Sequence, residues 1–304
     1  MSIRSSLGVA LAATLFGVLP ACGATAASDR APSRPPTREL GAPSGTVLFV
    51  LTGADTQTLA RGKTRRTGYF LGEFYEAYRA VRDAGFDVAI ATPDGRAAPV
   101  DPESLAAKYW EAHPSWLVEA QALVADDPDL NAPMRIDAAL ATESEFAALV
   151  VPGGQGLMTD LVDDPAVHTL LVRFAATARP IGLVCHAPAI LTHLPRDADP
   201  LRGRRVTSVS GFEEFYIERF VMHGRARERR IGRRLSQAGY RYVHGGPGRP
   251  FAVRDGNLVT SQNPFSGDAF AQEFVAALED WRAASVPTST ASDAEQPEQP
   301  ERQR

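Results

Sequence analysis

IGLVCHAPA, residues 181–189, is the segment that indicates the fold of this chain most clearly. Ile181–Val184 is a short, uninterrupted apolar run, as expected for a strand that is buried on both faces. The small residues that follow, with Pro188 among them, predict the first turn of a helix. Cys185 and His186 therefore lie at a sharp strand-to-helix turn, which holds a side chain above the carboxyl edge of a sheet.

Cys185 has the sequence surroundings of a reactive thiol. At the start of a helix, free backbone N–H groups and the helix dipole are expected to favour the thiolate. The chain has two cysteines, and the other one, Cys22, lies in an N-terminal targeting segment, which leaves Cys185 without a disulfide partner. A buried structural cysteine is the common alternative, but the adjoining His186 favours a nucleophile with a base beside it.

Outward from this turn, apolar runs alternate with amphipathic segments, and this alternation predicts a mostly parallel sheet covered by helices on both faces. The expected architecture is an α/β three-layer sandwich. The predicted strands are Thr46–Thr52, Phe86–Thr92, Ala147–Val151, Ile181–Val184 and Arg205–Val209, with a hairpin of Phe251–Arg254 and Leu258–Thr260. The predicted helices are Gly68–Ala84, Pro165–Ala178, Ala187–Leu194 and Phe265–Trp281.

The two ends of the chain differ in composition from its middle. Residues 23–44 are rich in Ala, Ser, Pro and Arg and are typical of a flexible linker, and residues 283–304 are typical of a disordered tail. One α/β domain is expected over residues 45–282, which is long enough for a substantial core. A polar, partly helical insertion at residues 100–145 interrupts the alternation and is expected to cap the active site.

The first 22 residues predict export. Met1–Arg4 is short and basic, Ser6–Leu19 is apolar without charge, and the segment ends in the sequence LPAC at Cys22. This pattern is similar to that of bacterial lipoproteins, in which the cysteine is lipidated and becomes the new N-terminus. We expect a protein anchored by lipid on the periplasmic side of a membrane. Ordinary signal cleavage near Ala24–Ala27, which would release it into the periplasm, is the alternative.

The charge balance argues against a general nucleic-acid partner. The 32 basic and 36 acidic residues give a net charge of −4, so the chain lacks the excess of cations that binds phosphate backbones.

Two further segments are expected at the same sheet edge as Cys185. Gly153 and Gly154 follow the predicted strand Ala147–Val151 and can aim backbone N–H groups at an oxyanion beside the sulfur. An ordinary glycine-rich turn is the alternative interpretation. Glu73 lies three residues after Phe70 on a predicted helix, on the apolar stripe that faces the sheet.

A carboxylate on that stripe would be buried, which is rare without a partner. Burial would raise the pKa of Glu73, so the group could remain protonated and donate a hydrogen bond to a thiolate or transfer a proton. Glu76, one turn along, is interpreted as a solvated residue of the same helix.

Taken in order, these segments resemble the ThiJ/PfpI superfamily, and within it the branch of glutathione-independent glyoxalases and holding chaperones. The resemblance implies the flavodoxin-like fold of class I glutamine amidotransferases. It covers most of residues 46–281. The matching segments include VLFVLTG from residue 47, TGYFLGEFYEAY from residue 67, ALVVPGGQGLMTDL from residue 148, GLVCHAPAIL from residue 182 and DGNLVTSQNPFSGDAF from residue 255.

The resemblance also implies roles. Cys185 matches the family's nucleophile, His186 the adjacent base and Glu73 the carboxylate that touches the thiol. Glu214 occupies the place of an acidic residue that orients the histidine. Glu213 is the alternative, because two adjacent glutamates allow the match to the family position to shift by one residue.

Gly154 and Ala187 match the positions that offer oxyanion N–H groups. The chain departs from the family at Gln155, where a histidine is common, and at Ser261, where a glycine is common. The histidine-rich metal site of some larger bacterial relatives has no counterpart that we can place, so neither a metal nor another cofactor is expected.

By resemblance, the activity is a cysteine-dependent lyase reaction on small reactive aldehydes, of the type that converts methylglyoxal to D-lactate without glutathione. The alternatives are a holding chaperone for unfolded clients or a protein deglycase, a cysteine peptidase or amidase, and a redox sensor oxidised at Cys185. A homodimer is an open alternative for the assembly. Glutamine amidotransfer is disfavoured, because the chain contains no His-x-Glu sequence.

Overall fold

The computed structural model describes residues 45–285. The signal segment with Cys22, the linker up to residue 44 and the tail beyond residue 285 lie outside the described residues, so the predictions made for them stay predictions. Within the described range, no helix combines the length and apolar character needed to cross a bilayer.

A central sheet of seven strands organises the domain, in the order β10-β11-β7-β6-β1-β4-β5. Every neighbouring pair is parallel except the hairpin β10–β11. Two small sheets, β2–β3 and β8–β9, lie apart from it. The strands are β1 (Thr46–Val50), β2 (Thr56–Thr58), β3 (Thr64–Arg66), β4 (Asp87–Thr92), β5 (Met134–Arg135), β6 (Phe146–Val151), β7 (Ile181–Val184), β8 (Arg205–Val206), β9 (Arg241–Tyr242), β10 (Ala252–Asp255) and β11 (Leu258–Ser261).

Helices flank this sheet, which confirms the predicted α/β fold and hairpin. Strands β6 and β7 are buried along their whole length, as expected for apolar runs between two helical layers. The helices are α1 (Leu71–Asp83), α2 (Pro114–Asp126), α3 (Pro128–Asn131), α4 (Ile136–Ala141), α5 (Pro165–Ala176), α6 (Gly211–Tyr216), α7 (Ile231–Ala238) and α8 (Gly267–Ser285).

Helix α1 begins three residues later than the predicted Gly68. The chain before it is extended, because Tyr69 N donates to Pro99 O at 2.9 Å and Tyr69 O accepts from Asp101 N at 2.9 Å. This strand-like bridge takes up backbone groups that a first helical turn would have used. Helix α8 also differs from the prediction, since it extends to Ser285, three residues into the predicted tail.

The segment predicted as the strand Arg205–Val209 leaves β8 after Val206 and joins no strand of the central sheet. Thr207 N donates instead to the side chain of Thr260 at 2.9 Å, and Val209 N donates to Cys185 O at 3.0 Å. The segment therefore passes across the carboxyl end of β7, where it supports the Cys185 turn.

The insertion at residues 100–145 covers the site only in part. Its first residues form two short 3₁₀ helices, Pro102–Leu105 and Ala107–Tyr109, which lie along the pocket beside Cys185. Helix α2 packs instead against α1, where Glu119 accepts a hydrogen bond from Tyr75 Oη at 2.8 Å. Strand β5 closes the edge of the central sheet.

We expect Leu149→Ala to lower the free energy of unfolding by about 2–5 kcal/mol, because Leu149 is fully buried at the centre of β6 and its loss leaves a cavity. Val118→Ala, at a side chain that is 69% exposed on α2, is the control and should change it by about 0.5 kcal/mol or less. Urea unfolding of both variants is the measurement. Equal effects would contradict the assignment of β6 to the core.

Candidate active site

The site lies at the carboxyl ends of two neighbouring parallel strands, β6 and β7. Val151 pairs with Leu183, so the residues that follow each strand meet at one sheet edge. Cys185 adopts φ +58°, a left-handed conformation that costs a non-glycine residue about 1–3 kcal/mol. The turn is held because Cys185 N donates to Ser261 O at 2.8 Å and Cys185 O accepts from Val209 N. This is the sharp turn that the sequence predicts.

Glu73 reaches the thiol from helix α1. Its side chain is buried, and it converges with Gly153 and Cys185 on one small volume. A Cβ at Gly153 would lie 2.7 Å from Cys185 Cβ, 2.8 Å from Val184 O and in contact with the Glu73 carboxyl group. Only glycine fits between the acid and the sulfur.

Burial raises the pKa of Glu73 to about 8. Contacts with the Cys185 thiol and the Gly153 amide oppose the shift. Neither contact has the alignment of a full hydrogen bond, and no described residue satisfies either carboxyl oxygen. Desolvation therefore dominates, and Glu73 is an acid that remains protonated at neutral pH.

His186 contacts the sulfur directly. Its Nδ1 lies 3.2 Å from Cys185 Sγ, and its Nε2 lies 2.8 Å from Gln155 Nε2. Gln155 Oε1 in turn accepts a hydrogen bond from Gln57 Nε2 at 3.0 Å. All four side chains are buried, so a chain of contacts runs from Gln57 on β2 through two side chains to the thiol.

Burial also determines the charge of the thiol–imidazole pair. It lowers the pKa of His186 to about 4, which leaves the imidazole neutral at pH 7. It raises the pKa of the Cys185 thiol above its ordinary value, and ionisation of Glu73 at alkaline pH would raise it further. The expectation of a resting thiolate is therefore wrong. The cost of desolvating a thiolate outweighs the stabilisation that the N–H groups of the turn would give it. A 3₁₀ helix, Ala187–His193, also follows the cysteine in place of the predicted α-helix.

The assignment of Glu214 as the histidine's acidic partner is wrong. Its Oε1 accepts a long hydrogen bond from Ile231 N at 3.4 Å, at the start of α7, and it does not line the pocket. Glu213 lines the pocket and acts electrostatically on His186. The two side chains point in different directions from helix α6. Glu213 forms a capping box with Ser210 at the start of the helix. Glu214 is the next residue, and its side chain is therefore rotated by about 100° around the helix axis.

Glu213 is firmly held as a carboxylate. It accepts hydrogen bonds from Ser210 N at 2.8 Å, Gly248 N at 2.8 Å and Asn263 Nδ2 at 2.8 Å. Burial alone would raise its pKa, but these bonds lower it below the ordinary value. The pattern Ser-x-x-Glu at residues 210–213 is the sequence signal that could have distinguished Glu213 from its neighbour.

The interpretation of Glu76 as solvated is also wrong. Burial, and then the charges of Glu73 and Asp268, raise its pKa to about 8. Its Oε2 is buried without a hydrogen-bond partner among the described residues and lies against Gly267 at the start of α8.

Two backbone amides that the sequence predicts as oxyanion donors, those of Gly154 and Ala187, have no hydrogen-bond acceptor among the described residues, 45–285. Gly154 adopts φ +114° and lines the pocket with Cys185. The assignment of Gly153, Gly154 and Ala187 to an oxyanion position stays a prediction. In the same range, no group of three or more His, Cys, Asp or Glu side chains could hold a metal ion.

A cavity of about 350 Å³ opens above Cys185 and His186. The outer walls of this cavity and the contact of Gln57 with Gln155 are not predicted from the sequence, since these residues come from segments far apart in the chain and match no motif. The outer walls include Phe70, Tyr109, Phe212, Tyr216, Met222 and Phe265.

Comparisons with known proteins identify relatives of similar sequence and similar fold. A relative named Glyoxalase 3, from Candida albicans, is 23% identical over 247 residues, covering 77% of this chain and 98% of the relative. A crystal structure of glyoxalase III from Candida albicans shares the fold, with a TM-score of 0.64 at 23% identity, covering 78% of this chain and 98% of that chain.

A second crystal structure is 34% identical in sequence with a TM-score of 0.64, covering 78% of this chain and 98% of that chain. The profile of the DJ-1/PfpI family matches residues 68–277, which include Glu73, Cys185 and both glutamates of α6. The chain therefore belongs to the DJ-1/PfpI family.

Proposed function

We propose that this protein is a glutathione-independent glyoxalase, a lyase that converts methylglyoxal to D-lactate. The observation that carries the proposal is the buried Cys185 thiol, 3.2 Å from the Nδ1 of neutral His186 and in contact with the protonated acid Glu73. The relative from Candida albicans named Glyoxalase 3 supports this assignment.

The first step is addition of sulfur to the aldehyde. With the imidazole proton on Nε2, Cys185 Sγ forms a bond to the aldehyde carbon while the thiol proton passes to His186 Nδ1, and the developing oxyanion lies near the N–H groups of Gly154 and Ala187. The oxyanion then takes up a proton to give a neutral hemithioacetal. Because the thiol is protonated at rest, its ionisation is coupled to substrate binding.

The second step moves hydrogen between adjacent carbons. A base removes the proton from the sulfur-bearing carbon, giving an enediol, and reprotonation at the neighbouring carbon gives a lactoyl thioester. Glu73 and His186 are the groups in reach for these transfers. Water then cleaves the thioester, releasing lactate and restoring the thiol, so that the sum is methylglyoxal plus water to lactate.

Gln155 is a positioning residue in this scheme. As oriented, its Nε2 donates to His186 Nε2, which places the imidazole proton on Nδ1, facing the sulfur. If the side-chain amides of Gln155 and Gln57 are both flipped, so that their oxygen and nitrogen atoms exchange places, the imidazole proton lies on Nε2. Nδ1 is then the base for the thiol. The amide pair thus holds the imidazole in line with the sulfur in either tautomer without adding a charge.

Cys185→Ala is expected to abolish D-lactate release from methylglyoxal, because the covalent intermediate cannot form. Glu73→Gln should lower kcat by about 10²- to 10⁴-fold, since the amide keeps the shape of the acid but cannot exchange its proton. Glu279→Gln, at an exposed glutamate of α8, is the matched control and should match the wild type.

An enzymatic assay for D-lactate on the purified protein makes the measurement. Full turnover by Cys185→Ala would contradict the proposal. Absence of turnover in the wild type, combined with suppression of client aggregation that survives Cys185→Ala, would favour the holding chaperone.

The pH dependence of kcat/KM should show a plateau between about pH 4 and about pH 8. His186 has a lowered pKa of about 4, so its base form is present above that pH. Glu73 has a raised pKa of about 8, so its acid form is lost above that pH. The residual activity of Glu73→Gln should lack the alkaline limb, and persistence of that limb would show that another group is the acid.

Gln155→Leu should lower kcat/KM by at least about 10-fold, because the imidazole loses the contact that holds its ring in line with the sulfur. Gln155→Glu should instead raise the pKa of His186 and move the acid limb of the pH profile upward by about one unit or more. Gln237→Leu, at an exposed position of α7, is the control. An acid limb that is the same in Gln155→Glu and the wild type would contradict the positioning role.

A further inference from the structure

The cavity above Cys185 is much larger than methylglyoxal requires. Its volume of about 350 Å³ lies in the range of pockets that enclose drug-sized ligands, roughly 300–1,000 Å³. A three-carbon dicarbonyl bound at the sulfur would fill only the inner end. The outer part is therefore available for a substituent on the same carbonyl compound.

The outer part is lined by two groups of apolar side chains. One wall, called here the aromatic wall, consists of Phe70, Tyr109 and Phe265, whose rings pack in sequence with centroid distances of 4.9 Å and 5.8 Å. A second group of apolar lining side chains comes from residues 209–222, with Val209, Phe212, Tyr216, Ile217 and Met222. Such walls bind apolar groups and leave polar ones without partners.

Both cationic side chains of the pocket are paired with an acid, although Arg65 Nη1 is buried without a hydrogen-bond partner among the described residues. Arg65 pairs with Asp101 at 3.2 Å, and Lys108 pairs with Glu103 at 2.7 Å. Glu213 remains as a carboxylate held by backbone and amide donors, and it would repel a second anion. The apolar walls therefore favour an uncharged tail, and the carboxylate of Glu213 disfavours an anionic one.

The mouth of the pocket exposes aromatic surface. The exposed fractions are 62% for Phe212, 48% for Tyr216 and 43% for Phe265. Phe212 and Tyr216 are four residues apart on α6 and so share a helix face. A contiguous exposed apolar patch that continues into a pocket is typical of a ligand site. A substituent that leaves the pocket here would remove this surface from water.

We propose that the outer pocket is a binding subsite for an uncharged alkyl or aryl chain, so that the substrate class is α-oxoaldehydes with a long apolar substituent. This inference rests on the proposed glyoxalase function, since it names the substrates of the same sulfur. The dicarbonyl end lies at Cys185, and the chain extends between the aromatic wall and residues 209–222.

Steady-state kinetics with methylglyoxal, phenylglyoxal and 2-oxooctanal test the proposal. We expect kcat/KM to be at least about 10-fold higher for 2-oxooctanal than for methylglyoxal, since each buried methylene group strengthens binding by about fourfold. Phe212→Ala should reduce this preference by roughly 5-fold or more through KM. Phe215→Ala, at a 55% exposed phenylalanine of the same helix that does not line the pocket, should leave the preference unchanged.

The outcomes separate this inference from the function on which it rests. Cys185-dependent turnover of methylglyoxal without a gain for longer substrates would overturn the subsite and leave the glyoxalase proposal intact. Equal effects of Phe212→Ala and Phe215→Ala would also overturn it.

If no α-oxoaldehyde is converted, the glyoxalase proposal fails and the named substrate class fails with it. Calorimetry on Cys185→Ala then tests the apolar subsite by itself, with octan-2-one compared with acetone. Binding of octan-2-one that Phe212→Ala weakens supports the subsite, and equal binding of the two ketones overturns it.

Discussion

The strained backbone at Cys185 is the constraint on which the rest of the site depends. A φ of +58° is unfavourable for a residue with a side chain, and it persists because β11 and the segment after β8 bind both backbone groups of the cysteine. That conformation turns the sulfur out of the sheet toward α1. Without it, Glu73 and Gly153 would have nothing to converge on. The buried parallel strands β6 and β7 thus act as the rigid base of the chemistry.

Burial gives this site its electrostatic character. Desolvation raises the pKa values of the thiol and of Glu73 and lowers that of His186, so all three groups are neutral near pH 7. A neutral site can pass protons among its members without leaving an isolated charge in a poorly solvated pocket. The charged group nearby, Glu213, is stabilised separately by its own hydrogen bonds and lies at the pocket wall.

The supporting shell around His186 differs from the arrangement that the family resemblance implies. Gln155, which accepts a hydrogen bond from Gln57, contacts the imidazole nitrogen that faces away from the sulfur, whereas Glu213 of α6 acts at longer range. An amide orients the ring without fixing its charge, which is consistent with the lowered pKa of the histidine. The same pocket extends outward between aromatic side chains and uncharged or paired groups, so its polarity changes along its length.

The sequence predicts the parallel α/β sheet, the Cys185 turn and the placement of Glu73 on a buried helix face, because each follows from local periodicity and the order of segments. It did not determine the protonation state of the thiol, which depends on desolvation by residues distant in the chain. The choice between Glu213 and Glu214, the contact of Gln57 with Gln155 and the depth of the pocket were decided only by the tertiary structure. These depend on side-chain direction and on contacts between distant segments, and a linear pattern specifies neither.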